Sequence, residues 1–174
     1  LLSLLERADV EVVQIHTREM LHPFSYYPCD TLQSLAARHN LPLSVIPPTG
    51  SWDCSPADIA IVSSFHRLFK KSHLLRYRYV INIHPSLLPL YKGATPTNWM
   101  VQHGERIVGL TAHLVDEGID SGAILFQRKL LNPCLNDNQL RKALAYLSRA
   151  IVADIVEMYP DYPEQPQSGP GSSQ

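Results

Sequence analysis

Short β-branched runs return along this chain, each closed by proline, glycine or a polar turn, and helical patterns separate most of them. That alternation confines it to folds that layer helices on a sheet. Residues 10–15, 41–46, 58–62, 79–83, 107–115 and 123–128 read as strands. Residues 1–8 read as the end of an amphipathic helix with Leu1, Leu4 and Leu5 on one face. Asp30 is placed to cap a helix carrying Leu32, Leu35 and Ala36, with Gln33 completing a capping box. Residues 67–75 form a shorter helical stretch, and residues 98–103 another that Gly104 would end. Asn136 or Asp137 then caps a long helix whose Leu140, Leu144, Leu147, Ile151 and Ile155 repeat at helical spacing. The pattern predicts an α/β fold: a Rossmann-like, mostly parallel twisted sheet with helices on both faces.

Because the chain opens inside a helix and without Met, an N-terminally trimmed domain lacking its first strand is expected. Losing a central parallel strand would strip its neighbours of hydrogen-bond partners and leave the domain poorly stable. Beyond Met158 the composition changes. Pro160, Pro163, Pro166 and Pro170, with Gly and Ser between, predict a catalytic domain over 1–158 and a linker or tail over 159–174.

Composition sets outer limits. At 174 residues, 45% apolar and 18% charged, the chain can bury one core and lacks the signature of disorder. No apolar run approaches the length of a membrane span. Cys29, Cys54 and Cys134 are far apart and outside any C-x-x-C pattern, which suits a reducing, cytoplasmic compartment. A net charge of −1 argues against a dedicated nucleic-acid surface.

The segment Asn82-Ile83-His84-Pro85-Ser86-Leu87-Leu88-Pro89 carries the strongest chemical signal. Strand alternation puts Asn82 and His84 on one side, and Pro85 stops the strand there. Both polar groups therefore stand at the strand's C-terminal end, where open α/β sheets bind ligands. Downstream, Asp116-Glu117-Gly118-Ile119-Asp120-Ser121-Gly122 forms an acidic turn between two strands. Asp116 and Glu117 read as solvated turn residues. An amide, an imidazole and the Asp120 carboxylate meeting above the sheet would suit acyl transfer to an amine, which needs oxyanion stabilisation and proton movement.

These two segments, together with Lys92-Gly93-Ala94-Thr95-Pro96, resemble the folate-dependent formyltransferase family over roughly residues 58–130. Its hallmark is an Asn-x-His-Pro-Ser-Leu-Leu-Pro string followed downstream by an Asp-Glu-Gly-x-Asp-x-Gly turn. The resemblance implies that Asn82 stabilises the oxyanion, that His84 polarises the formyl carbonyl and relays protons, and that Asp120 orients His84. It implies 10-formyltetrahydrofolate as co-substrate, held largely by backbone groups of Leu87, Leu88, Pro89, Gly93, Val115, Asp116, Glu117, Gly118 and Ile119, with no metal. Gly93 and Gly118 would permit close approach. The acceptor is an amine on a small molecule, an amino sugar or methionyl-tRNA. A formyltetrahydrofolate hydrolase, or a non-catalytic domain binding folate or a partner, remains the alternative.

Other residues read more plainly. His16, His22, His39, His73, His103 and His113 fit surface or satisfied roles, and His66, at a strand end, either does so or faces substrate. The basic run from Arg67 to Arg78 reads as a solvated helix face, with contact to a phosphate or RNA as the alternative. Ser86 lies in no nucleophile elbow.

Overall fold

The computed structural model describes residues 1–18, 30–65, 67–132 and 136–168, so His22, Cys29, His66, Cys134 and Pro170 lie outside the described residues. In chain order the elements are α1 (Leu2–Leu5), β1 (Ile15–Thr17), α2 (Leu32–Arg38), β2 (Leu43–Val45), β3 (Ala57–Val62), α3 (Lys71–Leu74), β4 (Tyr77–His84), α4 (Pro96–Gln102), β5 (Ile107–Leu114), β6 (Ile124–Leu131) and α5 (Asp137–Glu157). None of the described helices is long and apolar enough to cross a membrane.

The strands form two sheets. β1 pairs with β2 in parallel, and a larger sheet runs β3-β4-β5-β6. Within the larger sheet β3 and β4 are parallel, while β4–β5 and β5–β6 are antiparallel. The α/β class therefore holds, with a sheet more evenly mixed than the sequence rhythm implies. The tight turn between β5 and β6 closes a hairpin, and a hairpin can only be antiparallel. No strand pairs with β1 or β3 on its other side among the described residues.

One core lies between the larger sheet and α5. Ile81, Ile83, Val108, Leu110 and Ala112 from β4 and β5 meet Leu140, Leu144, Ile151 and Ile155 from α5, all buried. Asn136 caps α5, its side chain accepting the Gln139 N–H. Capping α2 falls to Thr31 and Ser34, which exchange side-chain and backbone bonds, while Asp30 pairs with Arg38 at 2.7 Å. The Asp30–Gln33 box is thus corrected by one residue: the shorter Ser34 hydroxyl reaches back where Gln33 instead donates to Arg18 O. The first strand also differs. It begins at Ile15 rather than at Val10, because its pairing with β2 starts only there.

Two further expectations are corrected. Arg67 and Arg76 are not free on a helix face: Arg67 donates to Pro47 O and Gly50 O, and Arg76 to Cys54 O and Asp53. The proline-rich end does not run loose over residues 159–168. Gln165 bridges Ile124 through two backbone bonds of 2.8 Å, and Tyr162 packs on the core with its hydroxyl on Ile155 O.

Candidate active site

β4 ends at His84, and its last turns of ladder put Asn82 opposite His113 and His84 opposite Thr111 on β5. Proline at position 85 ends the strand, and residues 86–91 curl back over β5. Thr111, fully buried, holds this loop at two points: its hydroxyl donates to Ser86 O at 2.7 Å and accepts the Leu88 N–H at 3.0 Å. Gln127 on β6 donates to Leu88 O and to the Thr111 hydroxyl. The Ser86 hydroxyl closes on Leu90 O, so it braces the loop and offers no nucleophile.

Asp120 reaches the same place from the β5–β6 turn. It adopts a left-handed φ of 48°, a conformation costly for a residue with a Cβ and often found at functional sites. Its Oδ2 lies 3.4 Å from His84 Nδ1 and accepts the Gly93 N–H at 2.9 Å. Its Oδ1 lies 3.5 Å from His113 Nε2 and accepts an Asn82 amide hydrogen at 3.3 Å. Gly93, with φ of 101°, turns its N–H inward as few other residues could. Gln167 clamps the turn from outside, donating to Asp120 O and Gly122 O at 2.8 Å each.

The hydrogen bonds fix the proton positions. A carbonyl only accepts, so His84 must carry a proton on Nε2 to bond Tyr91 O at 2.8 Å. His113 likewise carries one on Nδ1 to bond Leu114 O at 2.7 Å. When neutral, both rings therefore aim a lone pair at Asp120. Burial lowers the His84 pKa below its usual 6.5, against the opposing pull of Asp120. Burial also works to raise the Asp120 pKa, but the nearby His113 and His84 rings, each able to take up a proton on the nitrogen that faces the carboxylate, and the Gly93 N–H outweigh it and hold the carboxyl at about 2. Near neutral pH the site is a carboxylate beside an unprotonated imidazole nitrogen, ready to take one proton and share it.

Asn82, His84 and Asp120 thus converge as the sequence predicts. His113 does too, which sequence reasoning missed by treating it as one of several satisfied histidines. The signal was present: Thr111 and His113 alternate in an otherwise apolar strand, and alternate residues share a face.

The loop residues divide. Leu88 is buried, with its N–H and C=O both engaged, so it supports the loop and presents nothing outward. Val115 spends its N–H on Val80 O, and Leu87 its C=O on the Leu90 N–H. Asp116 organises its own turn, accepting from the Gly118 N–H and the Ser121 hydroxyl. At Gly118 an added Cβ would lie 2.1 Å from Ser121 Oγ, so it would displace the hydroxyl that Asp116 holds. Glu117 is exposed and Pro89 half-buried. Ile119 is 64% exposed and Leu90 47%, leaving apolar surface on both segments that meet at the site.

Comparison with known proteins agrees with this geometry. Residues 50–149 match the family model described as formyl transferase. A methionyl-tRNA formyltransferase from Thermosynechococcus vestitus is 33% identical over 147 residues, 79% of this chain and 44% of the relative. The chain thus spans less than half the length of that relative. A phosphoribosylglycinamide formyltransferase from Bacillus halodurans superposes with a TM-score of 0.70 at 20% identity, covering 88% of this chain and 83% of that one. An N-formyltransferase from Helicobacter canadensis, in complex with folinic acid and dTDP-3-aminofucose, gives 0.60 at 21% identity over 83% of this chain and 54% of that one. With more than half its length matched, the chain belongs to the formyl transferase family.

Proposed function

We propose that this chain performs N-formyl transfer from 10-formyltetrahydrofolate to a primary amine, as the catalytic domain of a cytoplasmic enzyme resembling methionyl-tRNA formyltransferase. The observation that carries the reading is the proton arithmetic at Asp120: a carboxylate 3.4 Å from a histidine nitrogen that lacks a proton at neutral pH.

In this reading the acceptor nitrogen attacks the formyl carbon, a new C–N bond forms, and the carbonyl oxygen becomes an oxyanion. The nitrogen's proton passes to His84 Nδ1, where Asp120 stabilises the imidazolium. Collapse of the intermediate breaks the bond to the folate nitrogen, which receives that proton and leaves as tetrahydrofolate. Asn82 is the oxyanion donor. Both its amide hydrogens are engaged, at 3.1 Å to His113 and 3.3 Å to Asp120, so the oxyanion must replace the longer bond. His113 keeps the amide oriented during that exchange and acts as a positioning residue.

The donor's flat ring system would lie between the segments carrying Leu90 and Ile119, near Gly93 and Val115. The 33% identity to a methionyl-tRNA formyltransferase supports methionyl-tRNA as acceptor, ahead of an amino sugar or a small amine. Residues 1–158 would form the catalytic domain, with residues 159–168 strapped to it. Donor consumption measured against methionyl-tRNA, nucleotide-linked amino sugars and small amines would identify the acceptor. His84→Ala should abolish turnover with the accepted amine while leaving the fold intact. Full activity in that variant would end the proposal.

A further inference from the structure

His84 stands in an awkward electrostatic position. Its proton sits on Nε2, where Tyr91 O accepts it at 2.8 Å, so a neutral ring turns the Nδ1 lone pair toward the Asp120 carboxylate 3.4 Å away. Two electron-rich atoms then face each other. The other neutral tautomer, with the proton on Nδ1, would give that carboxylate a hydrogen bond and leave the ring unable to accept a proton there. Which tautomer a histidine holds is set by the bond its second nitrogen makes. Here that bond goes to the Tyr91 carbonyl, so the base stays available while this backbone oxygen stays in place.

Tyr91 holds that oxygen in a strained backbone. Its φ is 57°, in the left-handed region that a bulky side chain rarely adopts. The Ser86 hydroxyl on Leu90 O and the Leu88 N–H on Thr111 brace the loop before it, and the Gly93 N–H on Asp120 fixes the chain after it. Tyr91 itself is buried and fastened by its far end. The hydroxyl has a single hydrogen, which goes to Glu105 Oε1 at 2.6 Å, so toward His103 Nδ1, 3.0 Å away, it accepts. Burial, reinforced by Glu105, pushes the phenol pKa up to about 12, so the hydrogen stays in place near neutral pH. Glu105 is set between α4 and β5, with its N–H on Met100 O at 2.9 Å and its C=O accepting from the Asn132 amide at 2.8 Å.

We propose that Tyr91 is a positioning residue for His84: its side chain, anchored on Glu105 and His103, holds the backbone that keeps the Tyr91 carbonyl on Nε2, and so selects the tautomer able to take a proton on Nδ1. This rests on His84 being the base of the reaction proposed above, but the tautomer can be read without turnover. Among the described residues, the ionisable groups facing the two ends are Asp120 and His113 at the imidazole, and Glu105 and His103 at the phenol. The left-handed φ separates this role from mere packing. Alanine at position 91 loses the anchor and keeps a Cβ that disfavours the conformation, so the carbonyl should swing away. Glycine loses the anchor too but adopts left-handed φ freely, so its carbonyl should stay on His84 more of the time. A residue that only filled space would rank the two the other way.

The test uses the 174-residue chain with isotope-labelled histidine, the His84 ring signals being assigned by their loss in His84→Ala. Nitrogen NMR of the parent chain at neutral pH should show a hydrogen on Nε2 and a lone pair on Nδ1. Tyr91→Ala should shift the tautomer ratio toward Nδ1–H by about tenfold, the factor that one hydrogen bond is worth. Tyr91→Gly should shift it less, and Tyr91→Phe and Glu105→Gln, which keep the ring, should fall between Tyr91→Ala and the parent. The His84 titration midpoint should move down with the tautomer ratio, because Tyr91 O is one of the influences that raise it. A parent chain with its hydrogen on Nδ1 would overturn the proposal, as would a folded Tyr91→Ala chain with the parent's tautomer. So would a shift in Tyr91→Gly as large as that in Tyr91→Ala. If Tyr91→Ala fails to fold, an unchanged tautomer in both Tyr91→Phe and Glu105→Gln overturns it instead. Should the parent formylate no amine while the ranking of variants holds, the reaction proposed above falls and the positioning of His84 by Tyr91 stands.

Discussion

His84 and His16 each sit on a strand, and each is shielded from water, yet they meet opposite fates. His84 is 3% exposed, bonds Tyr91 O through Nε2 and holds Nδ1 3.4 Å from the Asp120 carboxylate, which pairs with it once it is protonated. His16 has no partner for either nitrogen among the described residues, and its ring is held edge-on to Trp52. The difference lies in the sheets beneath them. β4 is paired on both sides and hands its polar groups to a loop and a turn that were folded to receive them. Among the described residues β1 is paired on one side only, with β2. A buried histidine is therefore no sign of function by itself; function shows where the surrounding backbone has already settled its own hydrogen bonds.

The sharpest way to break this contrast is to remove the oxyanion donor. Asn82→Ala should lower kcat by about 100- to 1,000-fold, the usual effect of deleting one such donor. A drop of only a few-fold would mean that the closed network around β4 serves stability rather than chemistry.

Acid comes next. Since the folded-state pKa of His84 lies below 6.5, activity should persist as pH falls past 6.5 and fail only lower, when Nδ1 becomes protonated. Asp120→Asn removes the larger of the two influences that raise this pKa, the other being the Tyr91 carbonyl, so the acid limb should move further down while kcat falls by about 100-fold or more. Stability should respond with the same sign. The folded state binds fewer protons than the unfolded chain at His84 below pH 6.5, and at Asp120 between 3.8 and about 2. Acid therefore destabilises through both groups, first in the upper window and then in the lower. A stability maximum well below pH 6 would contradict this.

Thr111→Val compares the halves through packing alone. The substitution keeps the shape but orphans the Leu88 N–H, frees Ser86 O and takes one acceptor from Gln127. With Thr111 fully buried, a loss of about 2 kcal/mol or more is expected. Thr31→Ala, which removes the cap of α2 beside the smaller sheet, should cost about 1 kcal/mol. Equal losses in denaturant titrations would show that the two regions are braced alike.

Much of this was readable from residue order, and the limits have physical causes. The pair Asn82 and His84 followed by Pro85 announces polar groups at a strand end, and the structure adds only their partners. The long helix was legible because Leu140 to Ile155 repeat on one face and Asn136 is a good cap. What could not be read were contacts between segments remote in sequence. Nothing near His113 says that Asn82 lies across the ladder, although its alternation with Thr111 hinted at a shared polar face. Gln167 falls among prolines that resemble a loose tail, yet its amide clamps the Asp120 turn through tertiary contact alone. The Asp30 cap was misplaced by one residue because Asp30 and Thr31 are both good caps, and only the Arg38 ion pair decides between them.

The smallest effect, and the one of opposite sign, is expected at His16. Burial lowers its pKa, with Asp53 opposing, and its two ring nitrogens lose water without gaining partners among the described residues. Shielding a polar group without a hydrogen bond costs about 1–3 kcal/mol. Phenylalanine at this position would keep an aromatic edge against Trp52 and remove that cost, so His16→Phe should raise the denaturation midpoint, by about 1 kcal/mol in stability. The gain should be largest in acid, because the folded pKa of His16 is the lower one and protonation below pH 6.5 favours the unfolded chain. The same replacement at His84 should behave in the reverse sense, destabilising the fold by leaving Tyr91 O without its ring N–H donor. Should His16→Phe destabilise instead, the imidazole must have a partner in solution, and the contrast between the closed and open sheets would no longer explain the two histidines.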